Sequence, residues 1–331
     1  MSTAPEFTDV LITTAFLHPG DEVDRMLHAA GLSTRHEPDL AALPAAERTR
    51  LLGQARAIIA GTAPLTGADL SLAERLEIIV RTRVGYDSVD VAAASERGIP
   101  VCITAGANRQ AVAEHVFALA LAAARRIPEN IQNLAGGTWQ QLTGRELRGA
   151  TLGILGLGSI GKAVAGIATG FGMEVVAYDP YFDEAFATAH GVRRAELDEV
   201  LAQADFVTLH LFLDESTRNV INADRLRTMK SDAILINTSR GACVDEDALV
   251  DAVRNGVIGG AALDVFATEP LPADSPLLST PGILATTHVA GATREARGES
   301  GRMAAANVID VLCGARAPQF VVNPDYEVVP A

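Results

Sequence analysis

Short apolar runs rich in Val and Ile recur along the chain, separated by longer stretches whose apolar residues return every three to four positions. The runs predict strands at Val10–Thr14, Ala57–Ala60, Ile78–Val80, Pro100–Thr104, Thr151–Leu155, Glu174–Tyr178, Phe206–Leu209, Ala233–Asn237, Gly259–Leu263 and Ile283–Thr286. The longer stretches predict helices, among them Val23–Ala30, Ala111–Arg126, Ile160–Gly170, Asp245–Asn255 and Arg294–Leu312. A strand that is apolar throughout, rather than at alternate positions, is buried on both faces. Strands of that kind alternating with helices form parallel sheets covered by helices on both sides, so the class is α/β. So many strands would strain one open twisted sheet, and two sheets are expected. Breaks fall near 104–110, where Thr-Ala-Gly-Ala-Asn precedes a long helix, and near 292–298.

Composition narrows the picture. The 331 residues are enough for two domains, and 48% apolar with 21% charged positions excludes a disordered chain. A net charge of −14 repels phosphate backbones and anionic lipid, so neither nucleic acid nor membrane is expected as a partner. Cys102, Cys243 and Cys313 are far apart and lack ligand spacing, which fits reduced thiols in the cytoplasm and no metal site. The opening residues Met1–Asp9 lack the basic and apolar regions of a leader peptide. The apolar stretch Val116–Ala124 is too short to span a bilayer.

The first specific chemistry lies after the strand Thr151–Leu155, where Gly156-Leu-Gly158-Ser-Ile-Gly161 opens a helical pattern. Gly156 permits a tight turn, Gly158 lets backbone approach a pyrophosphate, and Gly161 lets the helix pack on its strand. The amides of Ser159 and Ile160 then face the phosphates at the positive end of the helix. The next strand ends at Asp179, a carboxylate that would accept hydrogen bonds from a ribose and repel a 2′-phosphate. NAD is favoured over NADP.

Ligands of open parallel sheets bind beyond the carboxyl ends of the strands. Those ends carry Asp179, His210, Thr238-Ser239-Arg240, Asp264 and His288. Polar groups gathered on one rim mark a reactive site. Arg240 offers a planar fork that can hold a carboxylate and polarise an adjacent carbonyl. His288 suits proton exchange near neutrality. A carboxylate beside it would fix its tautomer, and Glu269 in the preceding loop is the candidate. His210 is read as lining the cofactor crevice rather than exchanging protons. Trp139 is read either as a packing aromatic or as a pocket wall.

Several blocks together resemble the D-2-hydroxyacid dehydrogenase family, specifically its phosphoglycerate dehydrogenase and glyoxylate/hydroxypyruvate reductase branches. They are Arg81-Thr-Arg-Val-Gly-Tyr-Asp-Ser-Val-Asp90, Ala113-Glu-His115, Gly156–Gly161, Asn237-Thr-Ser-Arg-Gly-Ala-Cys-Val-Asp-Glu246, Leu263-Asp-Val-Phe-Ala-Thr-Glu-Pro270 and His288-Val-Ala-Gly291. The resemblance implies two Rossmann-like, doubly wound domains, with an NAD-binding domain (105–292) inserted into a substrate-binding domain (1–104 and 293–331). It implies a homodimer, in which the Trp139 region resembles a loop exchanged between subunits. It further implies that Arg240, Glu269 and His288 are catalytic and that Thr238, Asp264 and Gly291 join the cofactor site, Asp264 near the nicotinamide carboxamide. The amides of Val84 and Gly85 would hold the carboxylate of a small anionic 2-hydroxy or 2-oxo acid, with Asn108 near the hinge. Arg81 and Arg83 read either as a seat for a second anionic group, as in 3-phosphoglycerate or a dicarboxylate, or as surface charges or partners for the many acids.

Departures from the family pattern are Phe212 and Asp214 where relatives commonly carry Pro and Thr, Thr287 in place of a Pro, and Arg83 in place of a Gly. Two alternatives stand beside the enzyme: an NAD-sensing corepressor or scaffold on the same fold, and a formate- or phosphite-type dehydrogenase. An intact Arg-Glu-His set argues against the first. Glu269 where the formate enzymes carry Gln, and Val84 where the phosphite enzymes carry Lys, argue against the second.

Overall fold

The structure, a computed structural model, describes residues 8–314 and 316–326. Most of the stretch read for a leader, Met1–Phe7, lies outside them. The chain divides into two units, Met1–Asn108 with Thr293–Ala331, and Arg109–Ala292.

The first unit is built on five parallel strands: β1 (Val10–Ile12), β2 (Thr34–His36), β3 (Ala57–Ala60), β4 (Ile78–Arg81) and β5 (Val101–Ile103), in the order β2-β1-β3-β4-β5. Period-two geometry sends Leu11, Ile58 and Ile79 to one face, and Val10, Ile12, Ile59 and Val80 to the other. Both faces are covered, which is why these strands read as unbroken apolar runs. The last helix of the chain, Arg294–Leu312, lies on the second face through Ala304, Ala305 and Val308. Beyond it the chain returns to the β5 edge, where Asn323 Oδ1 accepts from Val101 N at 2.8 Å and Asn323 Nδ2 donates to Ile99 O at 3.0 Å.

The second unit holds seven parallel strands: β6 (Thr151–Leu155), β7 (Glu174–Tyr178), β8 (Val192–Arg194), β9 (Phe206–Leu209), β10 (Ile234–Asn237), β11 (Gly260–Leu263) and β12 (Ile283–Ala285). Their order, β12-β11-β10-β9-β6-β7-β8, is the doubly wound order in which the direction of winding reverses between β6 and β9. Leu155, Val207 and Leu235 fill one face and Ile154, Phe206 and Ile236 the other. Small residues admit close packing: a Cβ on Gly153 of β6 would come within 2.8 Å of the Ala204 Cβ.

Two strands and one helix boundary correct the expectation. β2 and β8 are edge strands whose exposed polar residues give no apolar run, so the ten expected strands become twelve among the described residues. The helix expected to reach Arg126 ends at Ala124, because Arg126 takes a left-handed φ of 52° and caps a separate helix, Ile127–Ala135. That helix buries none of its residues, and Ile127, Ile131 and Leu134 are exposed. Among the described residues no helix is long and apolar enough to cross a membrane.

Candidate active site

The glycine loop after β6 is set by steric necessity at two positions. Gly156 has φ 101°, and a Cβ there would stand 2.6 Å from His210 O; a Cβ on Gly161 would stand 2.1 Å from Gly156 O. The loops after β6 and β9 therefore touch where the winding reverses. Gly158 differs, because nothing lies within 4 Å of the space its Cβ would take. It caps the helix Ser159–Gly170 without a side-chain bond, so first-turn amides remain open to an anion. Asp179 accepts from Leu157 N at 2.6 Å and from Tyr181 N at 2.7 Å, fastening the end of β7 to the glycine loop. Among the described residues, the buried Thr238 Oγ1 has no hydrogen-bond partner. An open backbone cradle, a carboxylate at the second strand and a polar atom awaiting a partner fit a bound dinucleotide.

His210 is tied into the same loop, its amide donating to Leu155 O at 2.7 Å and its Nε2 lying 3.0 Å from Thr208 Oγ1. Burial pushes its pKa down to about 3, so it is a neutral imidazole at physiological pH. That suits a lining group and not a proton donor.

The loop after β10 presents Arg240. Buried Asn237 shapes it by donating from Nδ2 to Arg240 O at 2.8 Å and accepting from Ser239 N at 3.0 Å. The Arg240 guanidinium donates to Ser239 O at 2.7 Å. Gly241 then runs against the loop after β11 so closely that a Cβ would sit 1.9 Å from the Phe266 carbonyl carbon. Only glycine permits this backbone crossing, which sets Arg240 beside the segment carrying Glu269.

Glu269 is held from two sides. Its Oε1 accepts from Phe266 N at 3.0 Å, and its Oε2 lies 2.7 Å from His288 Nδ1. Both side chains are about one-third exposed, 36% and 39%, and so are open to a ligand. His288 itself takes a left-handed φ of 53°, a conformation disfavoured for residues other than glycine. Asp264 supports it. This fully buried carboxylate accepts from Thr286 Oγ1 at 2.6 Å, Val289 N at 2.9 Å and Ala290 N at 2.8 Å, thereby clamping the turn on both sides of His288. Burial alone would raise the Asp264 pKa, but hydrogen bonds from His115, Thr286 and these two amides outweigh it and leave it lowered.

Asp264, which the resemblance places near the carboxamide, gives both its oxygens to the His288 turn. Gly291 lies in that turn, where Ala292 N donates to Val289 O at 2.8 Å. Sequence reasoning assigned no role to His115, whose Nε2 lies 3.2 Å from Thr286 Oγ1 and 3.5 Å from Asp264 Oδ1. It also missed Glu246, which accepts from Ala267 N at 2.7 Å and braces the Glu269 loop from its other side. Burial raises the Glu246 carboxyl above its usual range, and the Glu269 charge adds to that. The Ala113-Glu-His115 block was the signal available for His115.

In the first unit, Arg81 ends β4 and is 4% exposed, with Nε donating to Gly85 O at 3.2 Å. It braces the Val84–Gly85 loop and is not a surface charge. Arg83, Val84 and Gly85 are half-buried. The buried Asn108 Oδ1 has no hydrogen-bond partner among the described residues. Trp139 is 87% exposed.

Comparison with known proteins places this geometry. Residues 117–290 match the family described as D-isomer specific 2-hydroxyacid dehydrogenase, NAD binding domain. A glyoxylate reductase of Korarchaeum cryptofilum is 41% identical over 266 residues, 78% of this chain and 80% of that protein. A D-3-phosphoglycerate dehydrogenase of Methanocaldococcus jannaschii is 41% identical over 256 residues, 76% of this chain but 49% of its own length. The chain thus spans about half of that phosphoglycerate dehydrogenase. The solved structure of the TT0316 protein from Thermus thermophilus superposes with a TM-score of 0.83 at 36% identity, covering 95% of this chain and all of that one. With two doubly wound sheets, a glycine loop at the reversal point and this depth of similarity, the chain belongs to the D-isomer specific 2-hydroxyacid dehydrogenase family of NAD-dependent oxidoreductases.

Proposed function

We propose that the chain catalyses reversible hydride transfer between NAD and a small 2-hydroxy or 2-oxo acid, with Arg240, Glu269 and His288 as its catalytic residues. The observation that carries this reading is the 2.7 Å pairing of His288 with Glu269, at the rim of the sheet whose glycine loop fits a dinucleotide. Bound nicotinamide supplies the hydride to the keto carbon, or accepts it in reverse. With Nδ1 committed to Glu269, the Nε2 proton of His288 is the one available to the substrate carbonyl oxygen. As the carbon is reduced, His288 protonates the oxygen, and Glu269 stabilises the imidazolium from which that proton comes. Arg240 orients the acid and stabilises charge gathering on the oxygen. The amides of Val84 and Gly85 are assigned to the substrate carboxylate, and domains at 1–104 with 293–331 and at 105–292 to substrate and cofactor respectively. Three unpaired thiols, Cys102, Cys243 and Cys313, suit a reducing cytoplasm.

A homodimer is part of this reading. The exposed Ile127, Ile131 and Leu134 fall at helical spacing on a helix with no buried residue, and Trp139 follows close by. Such a stripe fits a second copy.

The test is consumption of NADH with a panel of 2-oxo acids, alongside His288→Asn. Turnover that collapses in the variant while NADH binding persists supports the assignment. NADH binding without turnover of any 2-oxo acid would instead favour the scaffold reading.

A further inference from the structure

The turn that carries His288 is held by one buried carboxylate, Asp264, and a histidine from another element stands behind it. His115 lies within the helix Arg109–Ala124, which buries Val112, Val116, Leu119 and Ala120 and packs on β10 and β11. From there its Nε2 reaches the residues that follow β11 and β12, 3.2 Å from Thr286 Oγ1 and 3.5 Å from Asp264 Oδ1. We propose that His115 is a positioning residue for the reaction. By donating from Nε2 to this pair it fixes the Asp264 carboxylate, and through it the turn that presents His288 to the substrate.

The hydrogen bonds admit one placement of protons. Asp264 takes the Thr286 hydroxyl proton at 2.6 Å, and the amides of Val289 and Ala290 donate to it at 2.9 and 2.8 Å. With its own proton given away, Thr286 Oγ1 can only accept from His115, and the Asp264 carboxylate can only accept as well. The Nε2 of His115 therefore carries a hydrogen. Asp264 is fully buried, and a carboxylate so placed is costly unless donors surround it. His115, 20% exposed, brings it a further donor and a side chain able to carry positive charge. The turn needs that support. His288 holds a left-handed φ of 53°, and such strain persists only where its surroundings over-determine it. The residue before it is Thr287, whose φ is not fixed by a ring as that of a proline would be. Hydrogen bonds at Thr286, Val289 and Ala290 bracket His288 instead, and His115 anchors the group to a long helix.

This role rests on the dehydrogenase reading of His288, and amide hydrogen exchange tests it independently of turnover. Exchange is followed at Val289 and Ala290 in the whole protein at constant pH, beside steady-state kinetics with NADH and a 2-oxo acid. His115→Leu fills the space without a donor. It should speed exchange at those two amides about tenfold and lower kcat about tenfold, with the KM for NADH little changed. His115→Gln, whose amide can donate with similar reach, should restore both. Thr286→Val removes the hydroxyl that donates to Asp264 and should repeat the pattern, which keeps the test open if His115→Leu fails to fold. Unchanged exchange at the two amides in a folded His115→Leu protein overturns the proposal. So does a uniform rise across residues 109–292, which marks lost stability alone, and so does faster exchange that leaves kcat as it was or that His115→Gln does not reverse. If the parent protein turns over no 2-oxo acid, the dehydrogenase reading fails. Faster exchange confined to the turn, and reversed by His115→Gln, would still uphold the grip of His115 on it.

Discussion

His288 Nδ1 lies 2.7 Å from Glu269 Oε2, and the other oxygen of that carboxylate accepts from Phe266 N at 3.0 Å. The imidazole is thus oriented by a carboxylate that backbone holds in place. Replacing Glu269 by Gln keeps the shape and removes the charge that stabilises the imidazolium. Turnover should fall by roughly two orders of magnitude, with NADH affinity little changed because the cofactor loop is elsewhere on the rim. Steady-state kinetics with fluorescence titration of NADH check this, and near-normal turnover in the Gln variant would remove Glu269 from the mechanism.

Gly241 lies where no side chain fits, since its Cβ would stand 1.9 Å from the Phe266 carbonyl carbon. Gly241→Ala must force the loops carrying Arg240 and Glu269 apart. A loss of about 2 kcal/mol or more in unfolding free energy is expected, together with loss of activity. Denaturant unfolding of the variant measures the first effect. An unchanged midpoint would show that the two loops yield without cost.

Asp179 both accepts from Leu157 N and stands where a ribose is expected. Asp179→Asn keeps an acceptor for the loop while removing the negative charge that would repel a 2′-phosphate. The ratio of kcat/KM for NADPH over NADH should rise by about tenfold or more. If the ratio stays as in the parent protein, the cofactor preference is set elsewhere.

His210 is held neutral by burial, its pKa pushed down to about 3. In the unfolded chain the same imidazole takes up a proton near its ordinary value, so acid favours unfolding. Stability should be complete above pH 6.5 and decline below it, with His210 contributing up to about 1.4 kcal/mol per pH unit. His210→Gln, which cannot protonate, should show a shallower decline between pH 6.5 and 5 in denaturant titrations. Parallel curves for the two proteins would mean that His210 gains its proton in the folded state as readily as in the unfolded one.

The inner strands of both sheets were legible because burial on both faces demands unbroken apolar runs, as in Ala57–Ala60 and Phe206–Leu209. β2 and β8 were not, because an edge strand needs apolar residues on neither exposed face. The helical pattern runs on to Arg126, since nothing in its side chain announces a left-handed backbone. The rim residues were legible as a set, because every parallel strand delivers its following residue to one edge. Their individual contacts were not: that Asp264 accepts from Val289 N and Ala290 N, and that Arg81 Nε donates to Gly85 O, no local pattern records.

Sequence alone determined the α/β class, the glycine loop and the kinds of side chain at the strand ends, all consequences of periodicity and of what a tight turn permits. Tertiary structure decided which of those side chains face a ligand and which hold others in place. Hydrogen bonds such as Asp264 to Ala290 join residues far apart along the chain, and their geometry exists only once the strands have paired.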